Sequence, residues 1–136
     1  MTKKYVDYLT REIIGAAIEV HKELGPGLLE SVYEKCLIHV LREKRFNVKS
    51  QMKVPLIFKG MSLDLDLRCD IVVNDCVVVE LKTVEWIAPI HECQLLTYLK
   101  LLKKPKGILI NFYCTNIFKE GQKTFVTEHY RYLPDF

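Results

Sequence analysis

The stretch Arg68-Cys-Asp-Ile-Val-Val-Asn-Asp-Cys-Val-Val-Val-Glu-Leu-Lys82 decides the fold of this chain. Two β-branched apolar runs, residues 71–73 and 77–79, flank a polar break at Asn74-Asp75, and this pattern predicts a β-hairpin. Side chains two residues apart on a strand point to the same face, so Glu80 and Lys82 point the same way. The hairpin therefore presents polar side chains from two neighbouring strands at one end.

The number of residues in the turn decides whether Asp70, on the first strand, joins Glu80. A two-residue loop would place these two side chains on opposite faces, whereas a three-residue loop pairs Val73 with Val77 and Asp70 with Glu80. The odd positions from 63 to 73 are apolar and need the same core as positions 77, 79 and 81. We therefore predict the three-residue loop, or a bulge with the same effect, and a polar face that carries Asp70, Glu80 and Lys82.

The length of 136 residues predicts one domain, residues 1–136. A hydrophobic content of 49% and a charged content of 27% are typical of a globular protein with a core. The net charge of +3 permits a polyanionic partner without requiring one. We see neither a secretory signal nor an apolar run of about 20 residues, so we expect a cytoplasmic protein without a membrane partner. The five cysteines lack Cys-x-x-Cys spacing, which favours buried free thiols over a zinc site.

The remaining segments predict helices and strands in a consistent order. Apolar spacing predicts helices over residues 10–24, 28–45 and 89–103, the first of which is stopped by Gly25-Pro26-Gly27. Strands are predicted over 48–58, 61–73, 76–82, 107–113 and 124–130, with turns at Lys59-Gly60 and over 116–122. The order is α-α-β-β-β-α-β-β, and the strand–helix–strand unit from 77 to 113 predicts a parallel pair. We expect an α/β fold with a mixed β-sheet flanked by helices.

Polar residues on the second and third helices are open to two interpretations. Glu30 either complements the dipole of its helix or faces the site, with Tyr33 one turn further along the same surface. His91, Gln94 and Tyr98 form one stripe on the third helix, which fits either a polar contact in the core or support of the site.

Lysines follow the third helix near its end, where they suit the helix dipole. A solvated face is the usual role of such a cluster, and contact with nucleic acid is the functional alternative. The candidate nucleic-acid contacts are Lys100, Lys103 and Lys104.

Two neighbouring carboxylates form a hard-oxygen site of the kind that magnesium prefers. The backbone carbonyl of Leu81 could complete the coordination, and Lys82 could stabilise an attacking hydroxide or the charge that develops on phosphorus. These residues predict metal-assisted hydrolysis of a phosphodiester, with Mg²⁺ or Mn²⁺. The same spacing also fits a strand end with a solvated glutamate and lysine, and the hairpin alone favours neither interpretation.

Four motifs in order resemble a known group of proteins. Gly27-Leu-Leu-Glu30-Ser-Val-Tyr33 resembles the signature of the GxxExxY proteins, and Asp70 with Glu80-Leu-Lys82 resembles the core of the PD-(D/E)XK nuclease superfamily. Gln94-Leu-Leu-Thr-Tyr98 is similar to the Gln-x-x-x-Tyr element of the RecB-like branch of that superfamily. The resemblance covers roughly residues 8–126, although Cys69 stands where the superfamily motif has proline. It implies a restriction-endonuclease-like fold.

The resemblance also implies roles for the site residues. Asp70 and Glu80 would be metal ligands with Glu30 as a further acid, Lys82 the catalytic lysine, and Gln94 a substrate or water positioner. Tyr33 and Tyr98, which belong to the same motifs, would support them, and His91 is a supporting candidate from its place on the stripe of the third helix.

The function predicted from these residues is a metal-dependent nuclease acting on DNA or RNA, with DNA favoured. The alternative is a non-catalytic nucleic-acid-binding or adaptor protein on the same fold. A homodimer is a further hypothesis, since enzymes that cut both strands commonly need two sites.

Overall fold

The chain, described over residues 1–136 in a computed structural model, forms a five-stranded mixed sheet with helices on both faces. The elements are α1 Lys3–Leu24, α2 Glu30–Glu43, β1 Val48–Lys53, β2 Leu56–Phe58, β3 Met61–Leu63, β4 Arg68–Val73, β5 Val77–Lys82, α3 Pro89–Leu102, β6 Lys106–Asn111, α4 Ile117–Glu120, β7 Gln122–Val126 and α5 Glu128–Arg131. The predicted α/β class with a mixed sheet flanked by helices is confirmed. The structure adds a small hairpin, β2–β3, and two one-turn helices, α4 and α5.

The strand order in the main sheet is β1-β4-β5-β6-β7, in which only β5 and β6 are parallel. This parallel pair encloses α3 in sequence, as predicted. Val73 pairs with Val77, so the predicted three-residue loop is confirmed. Asn74 and Asp75 have φ angles of 49° and 53°, a left-handed conformation that Asn and Asp tolerate better than most residues. These local preferences set the register of the hairpin.

Two hydrophobic cores lie on opposite faces of the sheet. The larger packs α1 and α2 against Ile71, Val79 and Leu81, and the smaller packs α3 against Val72 and Val78. The predicted polar face is limited to the strand ends that carry Asp70, Glu80 and Lys82, because the even positions Val72 and Val78 of these central strands are as buried as the odd ones. The polar side chains of β4 and β5 lie near the ends of these strands that are away from the turn.

The alternation read along β4 breaks at Asp70. Cys69 packs in the smaller core with Val72, instead of joining Ile71 in the larger one. The expectation that all odd positions share a single core is wrong at Cys69.

The long strand predicted over residues 61–73 is interrupted. β3 ends at Leu63 and β4 begins at Arg68, and the β2–β3 hairpin pairs only with itself. Leu65 lies between these strands and is exposed, so its expected place in the core is also wrong. Pro55 separates β1 from β2, because proline cannot donate a hydrogen bond to a ladder.

Other element boundaries also differ, since α1 begins at Lys3 instead of residue 10. The last strand ends at Val126 instead of residue 130, and residues 117–120 form a helical turn. All five cysteines are free thiols; Cys69 and Cys76 are buried, whereas Cys93 is exposed. No helix has the combination of length and apolar character that crossing a bilayer requires.

Candidate active site

Asp70 and Glu80 exchange hydrogen bonds across the end of the β4–β5 ladder. The backbone N–H of Leu81 donates to Asp70 Oδ2 at 2.8 Å, and the backbone N–H of Asp70 donates to Glu80 Oε1 at 3.0 Å. Regular pairing of the two strands ends one step earlier, at Ile71 and Val79. Beyond that step, the two side-chain carboxyl groups accept the hydrogen bonds in place of backbone carbonyl groups. The structure brings the two carboxyl groups together, as the turn length predicted.

The electrostatic environment of this pair disfavours two negative charges. Glu80 is only 5% exposed, and burial raises its pKa to about 8, with the neighbouring charge of Asp70 acting in the same direction. Burial and the charge of Glu80 also raise the pKa of the Tyr98 hydroxyl. No basic side chain lies within 4.0 Å of either carboxyl group. Such a pair of like charges favours uptake of a proton or a cation.

Two acids on α2 extend the cluster. Glu30 and Glu34 are four residues apart and so lie on the same surface of the helix. Burial raises the pKa of both carboxyl groups, and the charge of Asp70 raises each further. The side-chain amide of Gln51 donates to Glu34 at 2.7 Å and to Asp70 at 3.3 Å. The helix and the hairpin thus contribute to one acidic cluster.

Sequence reasoning did not identify Glu34 or Gln51. The signal for Glu34 was its spacing from Glu30, which places both on one helical surface. Gln51 carried no signal, since it lies in β1 with a left-handed φ of 52°, a rare conformation for this residue type. The β1–β4 register passes over Gln51, and its amide reaches Asp70 instead.

Tyr33 acts on the loop that leads into α2. Its buried hydroxyl donates to the carbonyl of Gly25 and accepts from the N–H of Leu28 at 3.2 Å. Its ring stacks on Phe112, with the ring centroids 4.4 Å apart. Tyr33 thereby holds the Gly-Pro-Gly segment that positions the first turn of α2, and with it Glu30.

The three residues of the predicted stripe on α3 have different surroundings. Tyr98 is buried near Glu80, and its hydroxyl accepts a hydrogen bond from the Gln94 amide at 3.1 Å. Gln94 itself is exposed. His91 caps the start of the helix, because its Nδ1 accepts from the N–H of Ala88 at 3.1 Å.

The lysines lie at both ends of the sheet. Lys82 ends β5, and its charge lowers the pKa of both Glu30 and Glu80, against the larger effect of burial. Lys104 pairs instead with Asp75 in the hairpin turn, at 2.7 Å. That turn is five residues from Glu80, or about 16 Å along the strand. The structure therefore does not bring the cluster of Lys100, Lys103 and Lys104 together with the carboxylates.

The donor set fits a hard divalent cation. Asp70, Glu80, Glu30 and the carbonyl of Leu81 offer oxygen atoms only, which such cations prefer. Burial and the charge of Asp70 raise the pKa of Glu80, and a bound cation would favour the ionised form of this carboxyl group. His, Cys, Asp and Glu side chains do not form a ready-made group of three ligands. A two-carboxylate site would leave positions for backbone, water and substrate oxygens, as magnesium sites commonly do.

Comparison with known proteins matches this chain to a protein family. A family model described as the PD-(D/E)XK nuclease superfamily matches residues 7–125, a range that includes every residue of the acidic cluster. No curated protein and no solved structure gives a significant match.

Proposed function

Since this chain belongs to the PD-(D/E)XK nuclease superfamily, we propose that it hydrolyses phosphodiester bonds of nucleic acid with a divalent metal ion, Mg²⁺ or Mn²⁺. The mixed sheet flanked by helices agrees with a restriction-endonuclease-like fold, and nucleases of this superfamily generally use divalent metal ions. The observation that carries the proposal is the pairing of Asp70 with Glu80 at the strand end that also bears Lys82.

Each residue of the cluster has a role in this proposal. Asp70 and Glu80 would hold the metal ion, with the Leu81 carbonyl and Glu30 as further oxygen donors. The ion supplies Lewis acidity toward the phosphate and lowers the pKa of bound water. The compact ammonium group of Lys82 would oppose the negative charge that develops on the phosphate oxygens.

The supporting residues orient these groups. Gln51 fixes the direction of the Asp70 carboxyl group through its hydrogen bond and connects it to Glu34. Gln94, held by Tyr98 beside Glu80, would position substrate or water. Tyr33 and His91 act as positioning residues for the first turns of α2 and α3.

We extend the proposal to the GxxExxY family and the RecB-like branch. Tyr33 holds the loop before Glu30, which gives the first motif a physical task. The hydrogen bond between Gln94 and Tyr98 does the same for the second. The proposal includes one domain over residues 1–136, DNA as the favoured substrate, a cytoplasmic location, and a homodimer where both strands are cut.

A cleavage assay with matched variants tests this proposal. Purified protein is incubated with single- and double-stranded DNA and RNA, with Mg²⁺, Mn²⁺ or a chelator. We expect cleavage that requires metal and is lost in Asp70→Asn. Asp75→Asn is the control, since it changes an aspartate of the same hairpin at the opposite end. Cleavage that survives both the chelator and Asp70→Asn would reject the mechanism.

A non-catalytic nucleic-acid-binding or adaptor protein is the second candidate. It is favoured by the lysines around the end of α3, which lie away from the carboxylates. This candidate predicts salt-dependent binding without metal-dependent turnover. A double variant, Lys100→Glu with Lys103→Glu, should then weaken binding, and unchanged affinity would remove this surface from the candidate.

A further inference from the structure

Two exposed aromatic side chains lie at the carboxylate end of the sheet. Trp86, in the loop after β5, is 72% exposed, and Tyr113, in the loop after β6, is 50% exposed. The two strands are parallel, and Lys82 pairs with Asn111 at their ends. Both loops therefore begin at the same end of the sheet, beside Lys82. Trp86 is four residues from Lys82, at most about 14 Å along an extended chain.

Asn111 fixes the two loops relative to each other. Its side-chain oxygen accepts from the backbone N–H groups of Val84, at 3.1 Å, and Tyr113, at 3.2 Å. Its amide donates to the Val84 carbonyl at 2.8 Å. A cleft of about 340 Å³ is lined by Glu85, from the first loop, and Tyr113, from the second. The two loops that carry Trp86 and Tyr113 are therefore neighbours and are joined by the hydrogen bonds of Asn111.

The charge at this end is mainly negative. Besides Asp70 and Glu80, it carries the acids Glu30, Glu34, Glu85 and Glu120, against the positive charge of Lys82. Duplex DNA presents one negative charge per about 1.7 Å, twice the density of one strand. This surface therefore repels a duplex more strongly than a single strand. Stacking of unpaired bases on aromatic rings supplies binding energy that does not depend on positive charge.

We propose that Trp86 and Tyr113 form a stacking platform for unpaired bases, so that this site takes single-stranded nucleic acid or a single-stranded segment. The proposal rests on the proposed nuclease function and names its substrate class. The bases would stack on the two rings while the backbone between them reaches the carboxylates. Binding would depend on the bases more than on the phosphates.

The single tryptophan of the chain makes a direct test practical. The Asp70→Asn variant, which should not cleave, is titrated in Mg²⁺ with a single-stranded oligonucleotide, an abasic strand of equal length and a blunt duplex. We expect the first to quench Trp86 fluorescence, and the other two to bind at least tenfold more weakly. Equal binding of the abasic strand, or tighter binding of the duplex, would overturn the platform.

Variants measured with a labelled strand separate stacking from other effects. Trp86→Ala and Tyr113→Ala should each weaken binding roughly tenfold, the scale of one stacked base, and Trp86→Phe should restore most of it. Tyr132→Ala is the control, because Tyr132 is 83% exposed and follows α5 at the opposite end. Unchanged affinity in Trp86→Ala contradicts the proposal. If Trp86→Ala instead dissociates a dimer and leaves the affinity for the strand unchanged, Trp86 belongs to a dimer interface and the proposal is also contradicted.

The two proposals fail in different ways. Metal-dependent cleavage by the unaltered chain, together with normal binding by Trp86→Ala, rejects the platform alone. Base-dependent quenching without cleavage in any metal rejects the nuclease function and leaves a single-strand binding surface.

Discussion

Charged side chains are paired at one end of β5 and unpaired at the other. At the turn end, Lys104 pairs with Asp75 at 2.7 Å, and Lys106 pairs with Asp7 at 3.1 Å. At the other end, Asp70 and Glu80 lie side by side without a basic partner within 4.0 Å. The turn end is arranged for stability, whereas the site end carries charge that costs stability. Uncompensated charge of this kind is typical of functional sites.

The largest expected effect comes from removing the lysine at the site end. Lys82→Met should reduce hydrolysis by about 100-fold or more, because the charge that develops on the phosphate loses its counter-charge. The melting temperature should change little, since Lys82 forms no ion pair within 4.0 Å. Rates at saturating substrate and thermal melts measure both effects, and a rate within threefold of the unaltered protein would exclude Lys82 from catalysis.

The pH dependence of stability should differ in sign between the two ends. Glu80 has a pKa raised from 4.5 to about 8, so the folded state binds the proton more tightly than the unfolded state. Its contribution is therefore favourable below pH 4.5 and is lost as the pH rises to about 8. In metal-free buffer, Glu80→Gln should remove this loss, a gain of up to a few kcal/mol at pH 8.

Asp75 provides the contrast for that measurement. Lys104 lowers its pKa, so its contribution is present at neutral pH and is lost as the pH falls below 3.8. Urea unfolding of Glu80→Gln and Asp75→Asn between pH 3 and 8.5 should give opposite trends relative to the unaltered protein. Parallel curves would show that the two ends do not differ.

Two hydrogen-bonded tyrosine hydroxyl groups offer an intermediate test. Tyr33→Phe removes the hydrogen bond to Gly25, and Tyr130→Phe removes those to Asp7 at 3.0 Å at the turn end. Each should cost about 1 kcal/mol of unfolding free energy. Only Tyr33→Phe should also lower the cleavage rate, because only Tyr33 holds the loop before Glu30. A matching loss of rate in Tyr130→Phe would refute that division.

The smallest effect is expected at the turn. Lys104→Met breaks the partly exposed pair with Asp75 and should cost at most about 1 kcal/mol. The cleavage rate should stay unchanged, since the pair is about 16 Å from Glu80. Chemical denaturation and a rate assay on the same sample settle both points; a large fall in rate would connect this end to the site.

Local patterns allowed the hairpin register to be predicted. The β-branched runs and the alternation upstream required Val73 to face Val77, and that register brings Asp70 to Glu80. The burial of Val72 and Val78 was missed, because a short continuous apolar run does not show which faces are covered. The Leu-Asp repeat after Leu63 mimics a strand, yet residues 64–67 form none.

The remaining site residues depend on contacts between distant segments. Gln51 reaches Asp70 only through a left-handed backbone angle in β1, which its sequence neighbourhood does not indicate. The clamp formed by Asn111 likewise requires β5 and β6 to be adjacent before its amide can meet Val84. Spacing along the chain carries no information about such contacts.

The crowding of acids around Glu80 has an evolutionary consequence. Under the proposed mechanism, a substitution that neutralises one of them would remove the chemistry and, without metal, relieve repulsion at the same time. Inactive descendants of this chain would therefore start out more robust than their parent. Mutations that convert this chain into an inactive protein, free to acquire new partners, would therefore increase its folding stability. Only selection for the reaction would then keep the acids in place.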